Sequence, residues 1–369
     1  MSKIVLLAGA NSIHTIRWAN GLKLAGHDVY LISQHRLMHK LVDGIKYYEL
    51  PIKGILGYFL NVSKVKKIIH VIKPDIVNAH YASGYGTTAR LANIRPLVLS
   101  VWGSDVYDFP YKSFLHKRLV QKNLMAADTI ASTSYCMADQ THLIEPKLGH
   151  IFITPFGVDI KAYAHIEPLA LNSNKVVIGT VKTMADKYGI DTLIEAFTLL
   201  YNKLSTIHPN LADKLELRLI GGGGKLEELQ QLAKRLNIAH KVNFIGQVAH
   251  QDVPNELAKL DIYVALSRLD SESFGVAIIE AGAAGRPVIV SDAGGLPEVT
   301  INNTTGFVVQ RENPQMAAEA MENLVLNPEL RLKMGEAARQ HVKEKYSWSI
   351  CVKVMEEVFL HTIVRYREN

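Results

Sequence analysis

Cysteine is nearly absent from this chain. Cys136 and Cys351 are the only two, far apart and in no CxxC spacing, which argues against both a disulfide framework and a structural zinc. Long apolar runs are missing as well. A membrane-spanning helix needs about 18 or more apolar residues in a row, and no such stretch occurs. The apolar opening, Lys3–Ala8, is short and runs at once into Asn11, Ser12, His14 and Arg17. It reads as a first β-strand rather than a signal peptide. No His, Asp or Glu cluster has metal-ligand spacing, no low-complexity tract or short repeat is visible, and no residue stands out as an enzyme nucleophile. The expectation is a cytoplasmic protein with no cofactor and no metal.

What is present is a βα rhythm. The 369 residues exceed one domain of roughly 100–200 residues, so two domains are expected. Lys3–Ala8, Asp28–Ser33, Asp75–Ala79, Leu97–Val101 and Thr129–Ser132 read as strands, with helices at Ile13–Ala25, Val62–Ile72, Gly84–Asn93 and His116–Ala127. The rhythm breaks near Ile153. It restarts with strands at Val176–Val181, Leu215–Ile220, Val242–Ile245, Ile262–Ala265 and Pro287–Val290. Helices at Ile190–Leu204, Leu226–Leu236 and Val276–Ala284 lie between these, and helices fill most of the chain from Pro314 onward. Such alternation implies a parallel sheet covered on both faces. The fold class is therefore α/β, with two Rossmann-like doubly wound domains at 1–155 and 175–345. A linker over 156–174 joins them, and a last helix in 346–369 is set to pack back on the first domain. Ligands are expected at the carboxyl ends of the strands.

Charge is divided unevenly. Residues 1–155 hold 18 Lys/Arg and 9 Asp/Glu, a net +9, while the rest hold 23 and 26, a net −3. A basic first half fits an anionic partner: phospholipid headgroups, a lipid pyrophosphate or nucleic acid. Ordinary solubility would explain it equally well. The segment Val62–Ile72 gathers Lys64, Lys66 and Lys67 near one end and spaces Val65, Ile68, Ile69 and Ile72 helically. Either that helix packs on its own sheet or it rests on an anionic leaflet.

The most specific motif is Glu272-Ser-Phe-Gly-Val-Ala-Ile-Ile-Glu280. Glu272 sits in a loop after a strand. Ser273, Phe274, Gly275 and Val276 lead into a helix whose free N–H groups can cradle a phosphate. Glu280 interrupts an otherwise apolar run, and a buried carboxylate needs a partner. Gly179-Thr-Val-Lys182-Thr-Met-Ala-Asp-Lys187 places two cations around a loop after a strand, suited to a pyrophosphate leaving group. Gly221-Gly-Gly-Gly224 follows another strand and by itself indicates only a tight turn. In the first half, Gly9-Ala10-Asn11 opens a helix that puts His14 and Arg17 on one face. His80 and Val101-Trp-Gly-Ser-Asp105 each end a strand, where Trp102 offers a flat surface and Asp105 a carboxylate.

Glu-x7-Glu with Phe-Gly, followed by Gly285-Arg-Pro-Val-Ile-Val-Ser291, Gly294-Gly-Leu-Pro-Glu298 and Thr305-Gly-Phe307, resembles the retaining glycosyltransferases of family four. The resemblance spans essentially the whole chain and is densest from Val176 to Phe307. It implies the GT-B fold, two domains facing a central cleft, and sugar transfer with retention from a nucleotide-diphosphate sugar, a UDP-sugar being expected. It implies an acceptor-binding first domain and a nucleotide-sugar-binding second one. Residue by residue, Glu272 would contact the donor sugar and Glu280 the ribose. Lys182 and Lys187 would hold the leaving pyrophosphate in place of a metal, although Lys182 stands where the family usually has arginine. Gly221 would border the nucleotide, and Val248 would lie along the base within Gly246-Gln-Val-Ala-His250. Asn11 occupies the place of the family's glycine-rich loop, whose Gly-Gly pair is missing. His80 would approach the transferring sugar, and His14, Arg17, Trp102 and Asp105 would meet the acceptor.

The acceptor implied is a glycan or lipid-linked hydroxyl in bacterial surface polysaccharide synthesis, met at the inner face of a membrane, with no role for nucleic acid. Two other readings stay open: a nucleotide-sugar epimerase or phosphorylase of similar fold, and a non-catalytic nucleotide-sugar-binding scaffold.

Overall fold

The computed structural model describes residues 1–171 and 174–368, so residues 172–173 of the expected linker lie outside the described residues. Two compact units form, Met1–Gly157 with Trp348–Asn369, and Val158–Ser347.

The first unit is built on seven strands: β1 (Lys3–Leu7), β2 (Asp28–Ser33), β3 (Lys46–Glu49), β4 (Ile76–His80), β5 (Leu97–Val101), β6 (Thr129–Ser132) and β7 (Ile151–Ile153). All pair in parallel, in the order β3-β2-β1-β4-β5-β6-β7. Interior β1 is apolar after Lys3, and Ile4, Val5, Leu6 and Leu7 are fully buried, as a strand covered on both faces requires. The strand order reverses at β1, which opens a switch point between the carboxyl ends of β1 and β4. The final helix, Trp348–Glu368, belongs to this unit. Trp348 meets Trp18 edge-on at 5.1 Å, and the Thr362 hydroxyl donates to Thr129 Oγ1 at 2.8 Å.

The second unit repeats the plan with six strands: β8 (Val176–Val181), β9 (Leu215–Ile220), β10 (Val242–Gly246), β11 (Ile262–Ala265), β12 (Val288–Ser291) and β13 (Gly306–Val309). The order is β10-β9-β8-β11-β12-β13, again all parallel. Its switch point lies between β8 and β11. The helix Ile190–Ile207 buries Leu193, Ile194, Phe197, Leu200 and Leu204 against this sheet. Residues that follow Val158 pack into this unit, with Tyr163, Ile166 and Leu169 buried.

Several local expectations change. Three edge strands, β3, β7 and β13, escape the sequence pattern because each is short and half-buried. In Lys46-Tyr-Tyr-Glu49 both end residues are exposed. The helix expected over Gly84–Asn93 is instead a π turn, Tyr81–Tyr85, running into a helix at Gly86–Leu91. Val62–Ile72 is helical over the expected residues, but Val65, Ile68 and Ile72 are buried in the first unit's own core. Its apolar face is therefore not available to a leaflet. A further helix, Gly54–Leu60, precedes it. Glycines at 54 and 57 weaken its helical signal.

Candidate functional site

In the second unit the expected residues gather at the carboxyl ends of β8, β9 and β11. Lys182 leaves β8 and Glu272 lies in the loop beyond β11. Their side chains meet in an ion pair of 2.5 Å, with 11% and 14% of each exposed. Burial pulls the Lys182 ammonium down, but Glu272 outweighs it and the pKa is raised, so the lysine keeps its charge. Lys187 sits on the short 3-10 turn Asp186–Tyr188 and is exposed. The two ammoniums come together on one ring: Lys182 Nζ lies 4.8 Å and Lys187 Nζ 4.6 Å from the centre of Tyr188. An aromatic face attracts cations, so Tyr188 draws in both ammoniums without neutralising them.

Glycines explain how the loops close up. Gly221 has φ +141°, and a Cβ there would fall 1.9 Å from the Lys182 carbonyl oxygen. The glycine run is therefore more than a turn. It lets the β9 loop lie directly against the backbone that carries Lys182, where Met184 N donates to the Gly222 carbonyl at 2.9 Å. Likewise a Cβ on Gly295 would fall 2.2 Å from the Ser273 oxygen, and Gly295 N donates to the Glu272 carbonyl at 3.1 Å. The downstream Gly-Gly pair thus seats the Glu272 loop.

Gly275, with φ +89°, caps the helix Val276–Ala283, leaving that helix's first N–H groups unpaired within it. Ser273 and Phe274 are buried beside it, as is Glu280, 6% exposed, with His250 Nε2 3.9 Å from its Oε1. Val248 lies in the half-buried loop after β10.

Sequence reasoning missed the residues that brace this loop set. Arg268 donates to Asp191 at 2.7 Å and to the Asp186 carbonyl at 2.8 Å, and its own N–H reaches the Lys187 carbonyl at 2.9 Å. Arg311 pairs with Asp270 at 2.9 Å and Asp292 at 3.0 Å. Tyr188 was within reach of inspection, being an aromatic beside Lys187. The arginines carry no local signal, because their partners are distant in sequence.

In the first unit, Trp102 is the centre of an aromatic cluster. His80 lies 4.1 Å from it, Tyr81 5.4 Å, Phe156 5.3 Å and His14 6.3 Å, and His14 stacks on Phe156 at 4.4 Å. Tyr81 has φ +70°, a strained geometry for a tyrosine and one that marks functional loops. Arg17 follows His14 by three residues on the helix Ile13–Leu24, half-buried, and Asn11 is exposed just before that helix.

Two of the expected residues are enclosed by their own unit. Asp105 is 1% exposed and spends both oxygens on backbone, accepting from Ala82 N at 2.7 Å, Trp102 N at 3.1 Å and Gly103 N at 2.9 Å. It ties the β4 and β5 loops together and has no oxygen turned to an acceptor. His80 is fully buried, its Nε2 2.8 Å from Asn78 Oδ1. Asn78 Nδ2 donates to the Val98 carbonyl and to Ser100, so Asn78 Oδ1 must accept and the His80 proton lies on Nε2. Burial pushes the imidazole pKa down to about 3.

Among the described residues, no group of three or more His, Cys, Asp or Glu is arranged to hold a metal ion, and no helix is long and apolar enough to cross a membrane.

Paired cations and carboxylates at the switch point of a doubly wound sheet have the chemistry that suits a phosphorylated, hydroxyl-bearing ligand. Comparison with known proteins agrees in kind. Residues 163–341 match the family model Glycosyl transferases group 1, and residues 3–134 match Glycosyl transferase 4-like. These matches in tandem support a glycosyltransferase of family four, and the fold is GT-B. The chain is 31% identical over 219 residues to a GDP-mannose-dependent monoacylated alpha-(1-6)-phosphatidylinositol monomannoside mannosyltransferase of Corynebacterium glutamicum, covering 56% of this chain and 54% of that protein. The match therefore spans about half the length of that relative. It is 24% identical over 365 residues to the N-acetyl-alpha-D-glucosaminyl L-malate synthase of Bacillus anthracis, covering 93% and 91%. An Anabaena protein crystallised in complex with UDP superposes with a TM-score of 0.76 at 18% identity, over 97% of this chain and 99% of that one.

Proposed function

We propose that this glycosyltransferase moves a sugar, with retention, from a nucleotide-diphosphate sugar to a hydroxyl of a glycan or lipid-linked acceptor in surface polysaccharide assembly. The Lys182–Glu272 pair carries this reading. In this structure each charge satisfies the other. A bound donor offers both a better partner: pyrophosphate oxygens for Lys182 and Lys187, sugar hydroxyls for Glu272. The N–H groups that follow Gly275 add donors for the phosphate, and Glu280 is set back to take the ribose. Charge that develops on the leaving diphosphate would then be met by two lysines and a helix terminus, with no metal called for. The resemblance to family four implies that the leaving phosphate oxygen takes the acceptor proton, and the reading adopts that role for it. The UDP-bound structural relative favours a UDP-sugar, whereas the Corynebacterium relative is named for GDP-mannose. A thermal-shift comparison of UDP and GDP separates the two. Stabilisation by neither would overturn the donor assignment.

The membrane part of the reading moves to a different element. Within the helix Gly54–Leu60, Ile55 is 81% exposed, Leu56 67%, Phe59 43% and Leu60 59%, and Lys53, Lys64, Lys66 and Lys67 flank it, all exposed. Contiguous exposed apolar residues ringed by lysines suit an anionic bilayer surface. Flotation with anionic vesicles should carry the protein up, and Leu56→Asp with Phe59→Asp should leave it at the bottom. Wild type that stays with the soluble fraction would remove this part.

A further inference from the structure

The carboxyl end of β2 holds a hydrogen-bonded hub that none of the roles above uses. Ser33 Oγ accepts from Ala10 N and from His35 N, both at 3.0 Å. Its lone pairs are then spent, so its hydroxyl donates to the Tyr85 oxygen at 2.9 Å. That oxygen also accepts from Gln34 N at 3.1 Å. The Tyr85 proton has one direction left, His35 Nδ1 at 2.7 Å. Counting donors and acceptors fixes the ring: Nδ1 accepts, and the imidazole hydrogen lies on Nε2. Tyr85 is buried, and Tyr58 stands edge-on to it at 5.2 Å and 6.4 Å from His35. The His35 carbonyl is pinned by the Tyr47 hydroxyl at 2.8 Å.

His35 itself is half-buried, and its Nε2 makes no hydrogen bond among the described residues. Burial, and next Lys53, hold its pKa below the ordinary value, so it stays a neutral donor. It borders the Gly9–Asn11 loop, where a Cβ on Gly9 would lie 3.6 Å from His35 Nδ1. A rigidly held donor with nothing to bind, at the carboxyl edge of a doubly wound sheet, is a recognition element.

We propose that the His35 Nε2–H is a hydrogen-bond donor to an uncharged oxygen, a hydroxyl or ring oxygen of the sugar acceptor, and that Tyr85 is the positioning residue that aims it. The inference rests on the glycosyltransferase reading above and deepens its acceptor side. An uncharged partner is favoured because Lys53, the cation that acts on His35, is committed to Glu49 at 2.5 Å and to the Leu50 carbonyl at 2.9 Å, and Arg36 beside it is exposed to solvent. The Tyr58 ring beside it supplies an apolar face of the kind sugars pack on.

The test is long-range proton–nitrogen NMR on the full chain, with the His35 signals assigned by their loss in His35→Gln. The probes are methyl α-D-mannopyranoside, methyl α-D-glucopyranoside and inorganic phosphate. The wild type should show the Nε2–H tautomer, and at least one glycoside should shift Nε2. Tyr85→Phe should release the tautomer and weaken the glycoside about tenfold, the value of one hydrogen bond of about 1.4 kcal/mol. His35→Gln, which keeps an N–H, should retain part of the affinity that His35→Phe loses. An Nδ1–H tautomer in the wild type, a response to phosphate alone, no response to either glycoside, or unchanged binding in Tyr85→Phe would each overturn the proposal. Should Tyr85→Phe not fold, the wild-type tautomer and glycoside response decide the matter. Glu272→Ala, which strips the donor site, should leave the glycoside response of His35 in place, so failure of the donor reading and failure of this one are separable.

Discussion

Removing Lys182 should do more than lower activity: it should leave Glu272 stranded. The two side chains are 2.5 Å apart and each is less than 15% exposed. Truncating one member of a buried pair costs about 3–5 kcal/mol, because the other charge loses its compensation. The residual exposure here lowers that to about 2–3 kcal/mol. For a unit of this size each kcal/mol moves the melting temperature by about 2–4 °C, so Lys182→Ala should melt roughly 4–12 °C lower. Adding Glu272→Ala removes the stranded carboxylate. The double variant should then be more stable than the two single losses predict, by about 1.5–3 kcal/mol. The coupling should persist into alkaline solution. A raised lysine pKa gives stability that is complete below the unfolded value of 10.5 and is lost only as pH climbs through the higher folded value. Chemical denaturation of the four proteins at pH 7 and 9 measures this. Single losses that simply add, within about 0.5 kcal/mol, would refute the claim that the two charges compensate each other.

Other outcomes follow from the same geometry. Gly221→Ala should cost about 1–3 kcal/mol and weaken nucleotide binding, since its Cβ meets the Lys182 carbonyl at 1.9 Å. Gly222→Ala, whose nearest neighbour would be Gln247 Cβ at 3.5 Å, should be tolerated, and denaturation of the two variants checks the contrast. His80 stays neutral in the fold down to pH about 3 while its unfolded counterpart takes a proton near 6.5. Folding should therefore lose about 2 kcal/mol from this residue between pH 7 and 5. His80→Gln should flatten that part of the stability–pH curve, and an unchanged slope would contradict the burial argument. Asp105→Asn should lower the melting temperature by several degrees through the three backbone donors it leaves short of a charge. Its effect on acceptor affinity at temperatures where it is folded should be small.

The α/β class and most central strands were legible in the sequence, because a strand buried on both faces is a largely apolar run and one buried on a single face, such as Leu215–Ile220, alternates. Leu97–Val101, Thr129–Ser132, Val176–Val181, Leu215–Ile220 and Ile262–Ala265 have the same bounds in both. Most edge strands were not legible, since Lys46–Glu49 and Ile151–Ile153 bury too little to set a pattern, although the edge strand expected at Val242–Ile245 is there as Val242–Gly246. In the site, Lys182 and Glu272 were readable as motif members, but their mutual contact spans 90 residues of sequence and only the fold supplies it. The backbone N–H groups that Asp105 accepts from were not legible, because a carboxylate's partners are not written beside it. The lysines of Val62–Ile72 suggested a membrane face, whereas the apolar stripe beneath them is used up by the core. The exposed apolar residues belong to Gly54–Leu60, where glycines broke the helical pattern.

The central claim is that Lys182, Lys187, Glu272 and Glu280 form a nucleotide-sugar site. Titration calorimetry of the wild type and Lys182→Ala with UDP, GDP and their glucose and mannose conjugates tests it most directly. The account predicts binding of at least one diphosphate and its sugar conjugate by the wild type. It predicts a loss of roughly tenfold or more in Lys182→Ala, the worth of a charge-assisted hydrogen bond of about 1.5–3 kcal/mol. Absence of binding by every one of these ligands, or equal affinity in the two proteins, would contradict it.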